Sequence, residues 1–500
     1  MFERVFVLEV SGPTLELLRE RLEHLPNFRR LFEQGAWSRL RVPLQPVLPP
    51  SFATLLTGKN PGKTGLFDFF KFPAGGYDRI PYSTSLLMQE PFYRLLSRRG
   101  VRVGILNVPL TYPLAPVDGF VVSGDEGIDG DCAWPPEVAR ALDAAGYSVP
   151  FGASYAPGRE AEFSRRTLEV MAMRRRALKQ LFADGNWRFG MLTIHAFGEM
   201  LHAFWKFYDP RHPDYAPPLT SGAGDPFLPG FEALDQLLGD IIELTGNRGL
   251  VLVLGAWSHR LEHSRVHFNA VLEDAGYLQF KRTVPSQLKR LAFRLGVTKA
   301  RVERLAHDLN LYRFFHYKLG RGKRSAVTSA TFLSLSDVDW TRTRAVAMGY
   351  LGQIYLNVRG HRPAGVIPPA DYVRERAALR DLLAGLRDPR SGQPVVDRVV
   401  TREEAYSGAE LTNAPDLLVH LRDGYSGDSG FAGAGRLVTE APANHSSDHW
   451  DQSFLLALGE GVRPGEVESR LEDVAPTVLH ALGQPVPGDY DGRVLPIWVA

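Results

Sequence analysis

The sequence predicts an α/β protein in three layers, with a mostly parallel central sheet and helices on both faces. Short apolar runs alternate with stretches of helical periodicity along its 500 residues, the pattern of strands and helices in turn. One run, Leu250–Leu254, is apolar at every position, as in a strand buried on both sides. The hydrophobic share of 44% and charged share of 23% are those of an ordinary globular protein.

The elements follow in order. Val5–Val10 reads as the first strand. Leu15–Leu25 has helical spacing, with Leu18, Leu22 and Leu25 on one side. Pro26 interrupts it, and Asn27–Gln34 reads as a second helix carrying Phe28, Leu31 and Phe32. Further strands are expected at Arg102–Val108, Phe189–Ile194, Leu250–Leu254 and Phe454–Leu458, and a last helix at Pro476–Leu482. In such sheets ligands sit beyond the carboxyl ends of the strands, so the residues just after each strand carry the interest.

Composition excludes several classes. A net charge of +2 gives no global pull toward nucleic acid or membrane. The single cysteine, Cys132, excludes an internal disulfide framework and a cysteine-built zinc site. No apolar run approaches the roughly 18 residues of a membrane span, and no signal-like segment precedes the first strand. The expectation is a cytoplasmic protein. Between Lys281 and Arg324 basic residues crowd, against only Glu303 and Asp308. That segment reads as a solvated basic face, or as a patch for an acidic substrate or partner.

The most informative stretch runs from Leu48 through Pro49, Pro50 and Ser51 to Thr57, then Gly58-Lys-Asn-Pro-Gly-Lys-Thr-Gly65 and Leu66-Phe-Asp-Phe-Phe70. The prolines suit a helix start and Gly58 a helix stop. The free N–H groups of such a helix would face position 48 and suit an anion. A P-loop is rejected: Gly58 and Gly62 enclose three residues instead of four, and the helix precedes the loop.

This stretch resembles the PPxxxxxLTGKNPGKHGIFDF segment of the alkaline phosphatase superfamily, in its type I phosphodiesterase/nucleotide pyrophosphatase branch. Val338–Ala345, Gly349–Asn357, Arg387–Gly392, Ala414–Leu417 and Asp491–Leu495 fit the same family. The resemblance implies an alkaline-phosphatase-like core in two parts, 1–270 and 335–500, around a basic, mostly helical insertion at 271–334. It also implies two zinc ions clamping a phosphate, with a threonine nucleophile just before the prolines.

The implied site is degenerate in this chain. Leu48 stands at the nucleophile position. Ser11 and Gly198 stand at aspartate positions, and Ala256 and Trp257 at an aspartate and a histidine. Only His202 and His449 remain as metal ligands. The reading is a non-catalytic relative that binds an anionic small molecule or a protein partner, with no cofactor expected. The alternative is a phosphoester or sulfate-ester hydrolase or transferase using zinc or another divalent ion in a rearranged site. Candidates for rearrangement are His259, His263 and His267, whose HxxxH spacing on a helix would share one face, with Glu199, His195, Asp448 or Asp451. Ser51 is a substitute nucleophile or, as the blander reading, a helix cap. Ser11 reads as a turn residue.

Overall fold

The structure, a computed structural model, describes all residues except 74, 126–131, 145, 149–154, 217–223, 295–331, 432–436, 443, 499 and 500. Among the described residues the main sheet has ten strands. Its middle strand is Arg4–Glu9, flanked in parallel by Phe189–Thr193 and Gly249–Leu254. Val103–Val108 and Gly119–Ser123 extend it in parallel on one side. On the other side Gln452–Gly459 pairs antiparallel with Gly249–Leu254 and with Ala36–Arg41. Glu9 lies in register with both Thr193 and Leu254, so three strands end at one level.

Alternation of the middle strand builds the layers. Phe6 and Leu8 enter one apolar cluster with Phe197 and Phe231, while Val5 and Val7 enter the other with Phe52 and Leu55. The helix Leu48–Thr57 lies on the second face and ends at Gly58 in the left-handed region, as the glycine stop requires. The helix Ala196–Tyr208 follows Phe189–Thr193 on the first face.

A second sheet with its own apolar core is formed by Ala345–Met348, Gln353–Leu356, Leu417–Leu421 and Val396–Thr401, all antiparallel. The strand Ser258–His267 joins the two regions. It pairs with Ser447–Trp450, then with Gly424–Asp428 and Val438–Glu440.

Several expectations shift. The first helix is only Leu15–Arg19, followed by turns. The last helix begins at Val474, so Pro476 is its third residue. Ala36–Arg41 was not anticipated, although its buried Ala36, Ser38 and Leu40 alternate as in a strand. The HxxxH histidines lie on a strand, not a helix, because this segment completes two β ladders. In the basic insertion Val284–Arg294 is helical, with Lys289 bound to Asp337 and Arg290 to Glu273. The rest, from Lys299 to Arg324, lies outside the described residues.

Candidate functional site

The site lies beyond the carboxyl ends of Arg4–Glu9, Phe189–Thr193 and Gly249–Leu254. Leu48, Ala256 and Trp257 are buried in one apolar cluster with Phe52. The Trp257 indole stacks beside His195, with ring centres 6.0 Å apart, and meets Phe52 edge-on. The helix at Leu48 offers fewer donors than its sequence suggests. Leu48 is its first residue, so Pro49 and Pro50 remove the next two N–H groups. The N–H of Ser51 is already bonded to the Val47 carbonyl. Ser51 is therefore not the cap: that position is Val47, and the buried Ser51 hydroxyl has no partner among the described residues.

Ser11 donates its hydroxyl to Glu9 Oε1, which also accepts the Ala256 N–H at 3.1 Å. Glu9 is fully buried, and burial pushes its pKa up to about 8 despite these bonds. A neutral carboxyl thus joins Ser11 to the backbone of Ala256, two positions where the resemblance expects metal-binding aspartates. Sequence reasoning passed over Glu9. The signal was a lone carboxylate in the otherwise apolar run Val5–Val10.

The histidines gather next to this plug. His202, His259 and His449 bring ligand nitrogens within 4.8 Å of one another. His202 Nε2 and His449 Nε2 are 3.1 Å apart. Strand pairing sets His259 opposite His449, with their rings parallel and 5.3 Å apart. His202 is held by its Nδ1, which donates to the Ser447 carbonyl at 2.7 Å. Its own carbonyl accepts the Ser446 N–H and hydroxyl, so helix and loop are locked together. Burial first, and the nearby His202 second, hold His259 and His449 well below the usual histidine pKa. His445, at 5.1 Å from the His202 ring, is pushed down to about 3 by burial. Tyr350 adds a ring 5.7 Å from His449. Neither His445 nor Tyr350 was anticipated.

Most of the remaining candidates are engaged elsewhere. His267 bonds Thr439 at 2.8 Å and pairs with Asp428, and His263 bonds Ser264 at 2.9 Å. Glu199 is exposed, and Asp451 is paired with Arg398 and His420. Asp448 is buried and accepts the His449 N–H at 2.8 Å. Gly198 lies against Ser11 and His259.

The profile of the type I phosphodiesterase / nucleotide pyrophosphatase family matches residues 5–447. The chain belongs to that family. Solved structures agree on the fold. The phosphonoacetate hydrolase of Sinorhizobium meliloti 1021, in complexes with phosphonoformate and with phosphonoacetate, aligns at a TM-score of 0.56 and 13% identity, over 96% of this chain and 95% of that one. No protein of curated function matches the sequence. The fold is therefore alkaline-phosphatase-like. No helix among the described residues is long and apolar enough to cross a membrane.

The family motifs that this chain carries act as cross-links in the scaffold. Asn60 N and Nδ2 both bond Asp491 at 2.8 Å, and Lys63 pairs with Asp491 at 2.6 Å. Lys59 pairs with Asp489. The lysines that imitate a phosphate loop thus serve the Asp491 segment. Asp68 accepts the Tyr350 N–H at 2.8 Å and the Gln353 amide at 2.9 Å. Asn357 donates to the carbonyls of Trp340, Thr343 and Ala364.

The residues fit the family's two zinc ions unequally. For the second ion, the aligned side chains of Ser11, Leu48, Ala256 and Trp257 offer one hydroxyl, already given to Glu9. Zinc takes nitrogen, sulfur or carboxylate ligands, and that set holds none. For the first ion, His202 and His449 are present and adjacent, and the ring nitrogens of His259 are buried and unpartnered among the described residues.

Proposed function

We propose that this chain is a non-catalytic member of its family, which binds an anionic small molecule or a protein partner and lacks the two-metal phosphate clamp. The observation that carries the reading is the burial of Leu48 with Ala256 and Trp257 in one apolar cluster. Hydrocarbon and indole surfaces neither attack phosphorus nor ligate a cation. The adjoining Glu9–Ser11–Ala256 contact fills the neighbouring positions with a neutral carboxyl.

A cavity of about 630 Å³ supports the binding half of the reading. Trp205, Tyr208, Trp450, Arg211, Arg260 and His259 line it. Arg211 is tied to Asp209 and Asp423, whereas Arg260 Nε has no partner among the described residues. Glu16, Asp209 and Asp423 line it as well and offset the two arginines, so the aromatic walls suit a planar ligand.

The test is turnover of bis-(p-nitrophenyl) phosphate with zinc, manganese or iron supplied. The expected result is none above the metal-ion blank. A second reading, a phosphoester or sulfate-ester hydrolase or transferase with a rearranged site, is favoured by the histidine group alone. Turnover that disappears in His202→Ala would establish it and remove the first.

A further inference from the structure

We infer that His202, His259 and His449 form a site for one borderline divalent cation, zinc foremost, with His259 supplying the ligand whose place at Gly198 is vacant. The inference goes beyond the non-catalytic reading, since one ion held by imidazoles does not rebuild a two-metal clamp. Sequence alone led to the opposite expectation, because it counted two imidazoles and placed His259 on a helix.

The geometry supports three ligands. Two nitrogens bound to one tetrahedral zinc stand about 3.3 Å apart, from bond lengths of about 2.0–2.1 Å. His202 Nε2 and His449 Nε2 are separated by 3.1 Å, and the nitrogens of the group lie within 4.8 Å. His202 gives its Nδ1 proton to the Ser447 carbonyl, which leaves the Nε2 lone pair facing the group. Without an ion, His449 Nε2–H donates to His202 Nε2. An ion held there would require the His449 proton on Nδ1.

His259 is the decisive residue. It is 1% exposed, and neither ring nitrogen has a hydrogen-bond partner among the described residues. A buried polar group left so is destabilising unless something binds it. Its ring packs against two glycines. A Cβ built on Gly198 would lie 3.8 Å from His259 Cε1, and one built on Gly12 3.6 Å. A Cβ at either position would only touch the imidazole in ordinary contact, so the ring packs directly against the backbone of both glycines.

The chemistry favours zinc over hard cations. The three donors are imidazole nitrogens, whereas magnesium and calcium take oxygen ligands. Asp448 accepts the His449 N–H at 2.8 Å and so fixes the backbone of one of the three ligands. His259 also borders the cavity lined by Trp205 and Trp450.

The experiment titrates tag-free, chelator-stripped protein with zinc against a chromophoric competitor, and separately with cobalt(II). One equivalent is expected, with the intense visible absorption of four-coordinate cobalt. Losing an outer partner of a metal ligand weakens binding by roughly 10–100-fold, so losing a ligand should exceed that. His259→Phe, which preserves volume, should therefore weaken zinc by more than about 100-fold. His263→Gln, on the same strand, should leave it unchanged. The metal-free melting temperature of His259→Phe should not fall, which separates ligation from misfolding. Substoichiometric zinc, or equal affinity in wild type and His259→Phe, overturns the site. A second equivalent that survives His259→Phe would sink the non-catalytic reading and leave this site standing, so the two failures are told apart.

Discussion

His202 Nε2 and His449 Nε2 stand 3.1 Å apart across 247 positions of sequence. A helix N-terminal to the middle of the chain and a strand near its end are joined there by Ser446 and Ser447, which bond the carbonyls of His202 and Leu201. The Trp257 ring lies 5.0 Å from His449, so the pair borders the apolar ground that holds Leu48.

That neighbourhood predicts the outcome of restoring the nucleophile. Leu48→Thr returns a hydroxyl to the helix start but no ligand to Ala256 or Trp257. No phosphodiester turnover is expected in any metal. The hydroxyl would be buried against Trp257 and Phe52 and should destabilise the fold by roughly 1–3 kcal/mol in urea denaturation. Measurable turnover in this variant would mean that the second-ion donors are not missing.

Glu9 gives a pH dependence of unusual sign. Its pKa in the folded protein is about 8, pushed up by burial, against 4.5 for the free side chain. Between those values the folded state keeps a proton that the unfolded state releases. Stability therefore falls as pH rises from 4.5 to about 8, by up to about 1.4 kcal/mol per pH unit. Glu9→Gln keeps the oxygen that accepts from Ser11 and Ala256 and has no charge to bury. Equilibrium unfolding at a series of pH values should show that slope in the wild type and its loss in Glu9→Gln. A wild-type slope that persists in the variant would assign it to other groups.

His195 works in the opposite direction. Burial pushes its pKa down to about 3, against 6.5 when free. The unfolded chain takes up the proton first, so stability is lost as pH falls from 6.5 toward 3. Its ring sits 5.5 Å from Phe52 and 6.0 Å from Trp257. His195→Phe should lower the pH midpoint of acid unfolding and, near pH 4, stabilise by roughly 2–3 kcal/mol relative to the wild type compared at pH 7. An unchanged acid midpoint would show that His195 is not buried neutral.

How much was legible in the sequence follows from what each segment has to satisfy. The apolar runs gave the middle strands to within a residue or so, because both faces of Val5–Leu8 and Leu250–Leu254 must be buried. Ala36–Arg41 escaped notice because an outer strand buries only alternate residues. His202 and His449 were found through the resemblance, and the structure brings them together. His259 was placed on a helix because HxxxH spacing is the same on a helix face and on one side of a strand. Only the ladder to Ser447–Trp450 decides between them. Glu9 carries no motif; its role appears only when three strands are seen to end together at Glu9, Thr193 and Leu254, with the Ala256 N–H donating to the Glu9 carboxyl.

The same logic explains why the phosphate-loop-like stretch is retained. Asp491 accepts from Asn60 N and Nδ2 at 2.8 Å each and from Lys63 Nζ at 2.6 Å. These bonds tie the turn after the helix Leu48–Thr57 to the segment after the last helix. Hydrogen bonds to a charged partner contribute about 1.5–3 kcal/mol each before their mutual dependence is counted. Asp491→Ala, which strands the Asn60 donors, should destabilise by roughly 2–3 kcal/mol. Lys63→Gln should cost less, about 1 kcal/mol or below, because its ammonium is partly in water. Asp491→Asn should fall between them, keeping an oxygen for Asn60 and losing the ion pair. Urea denaturation of the three variants gives the order directly. If Lys63→Gln were the most damaging, the lysine would hold something other than Asp491, and an anion-binding role for this loop would return.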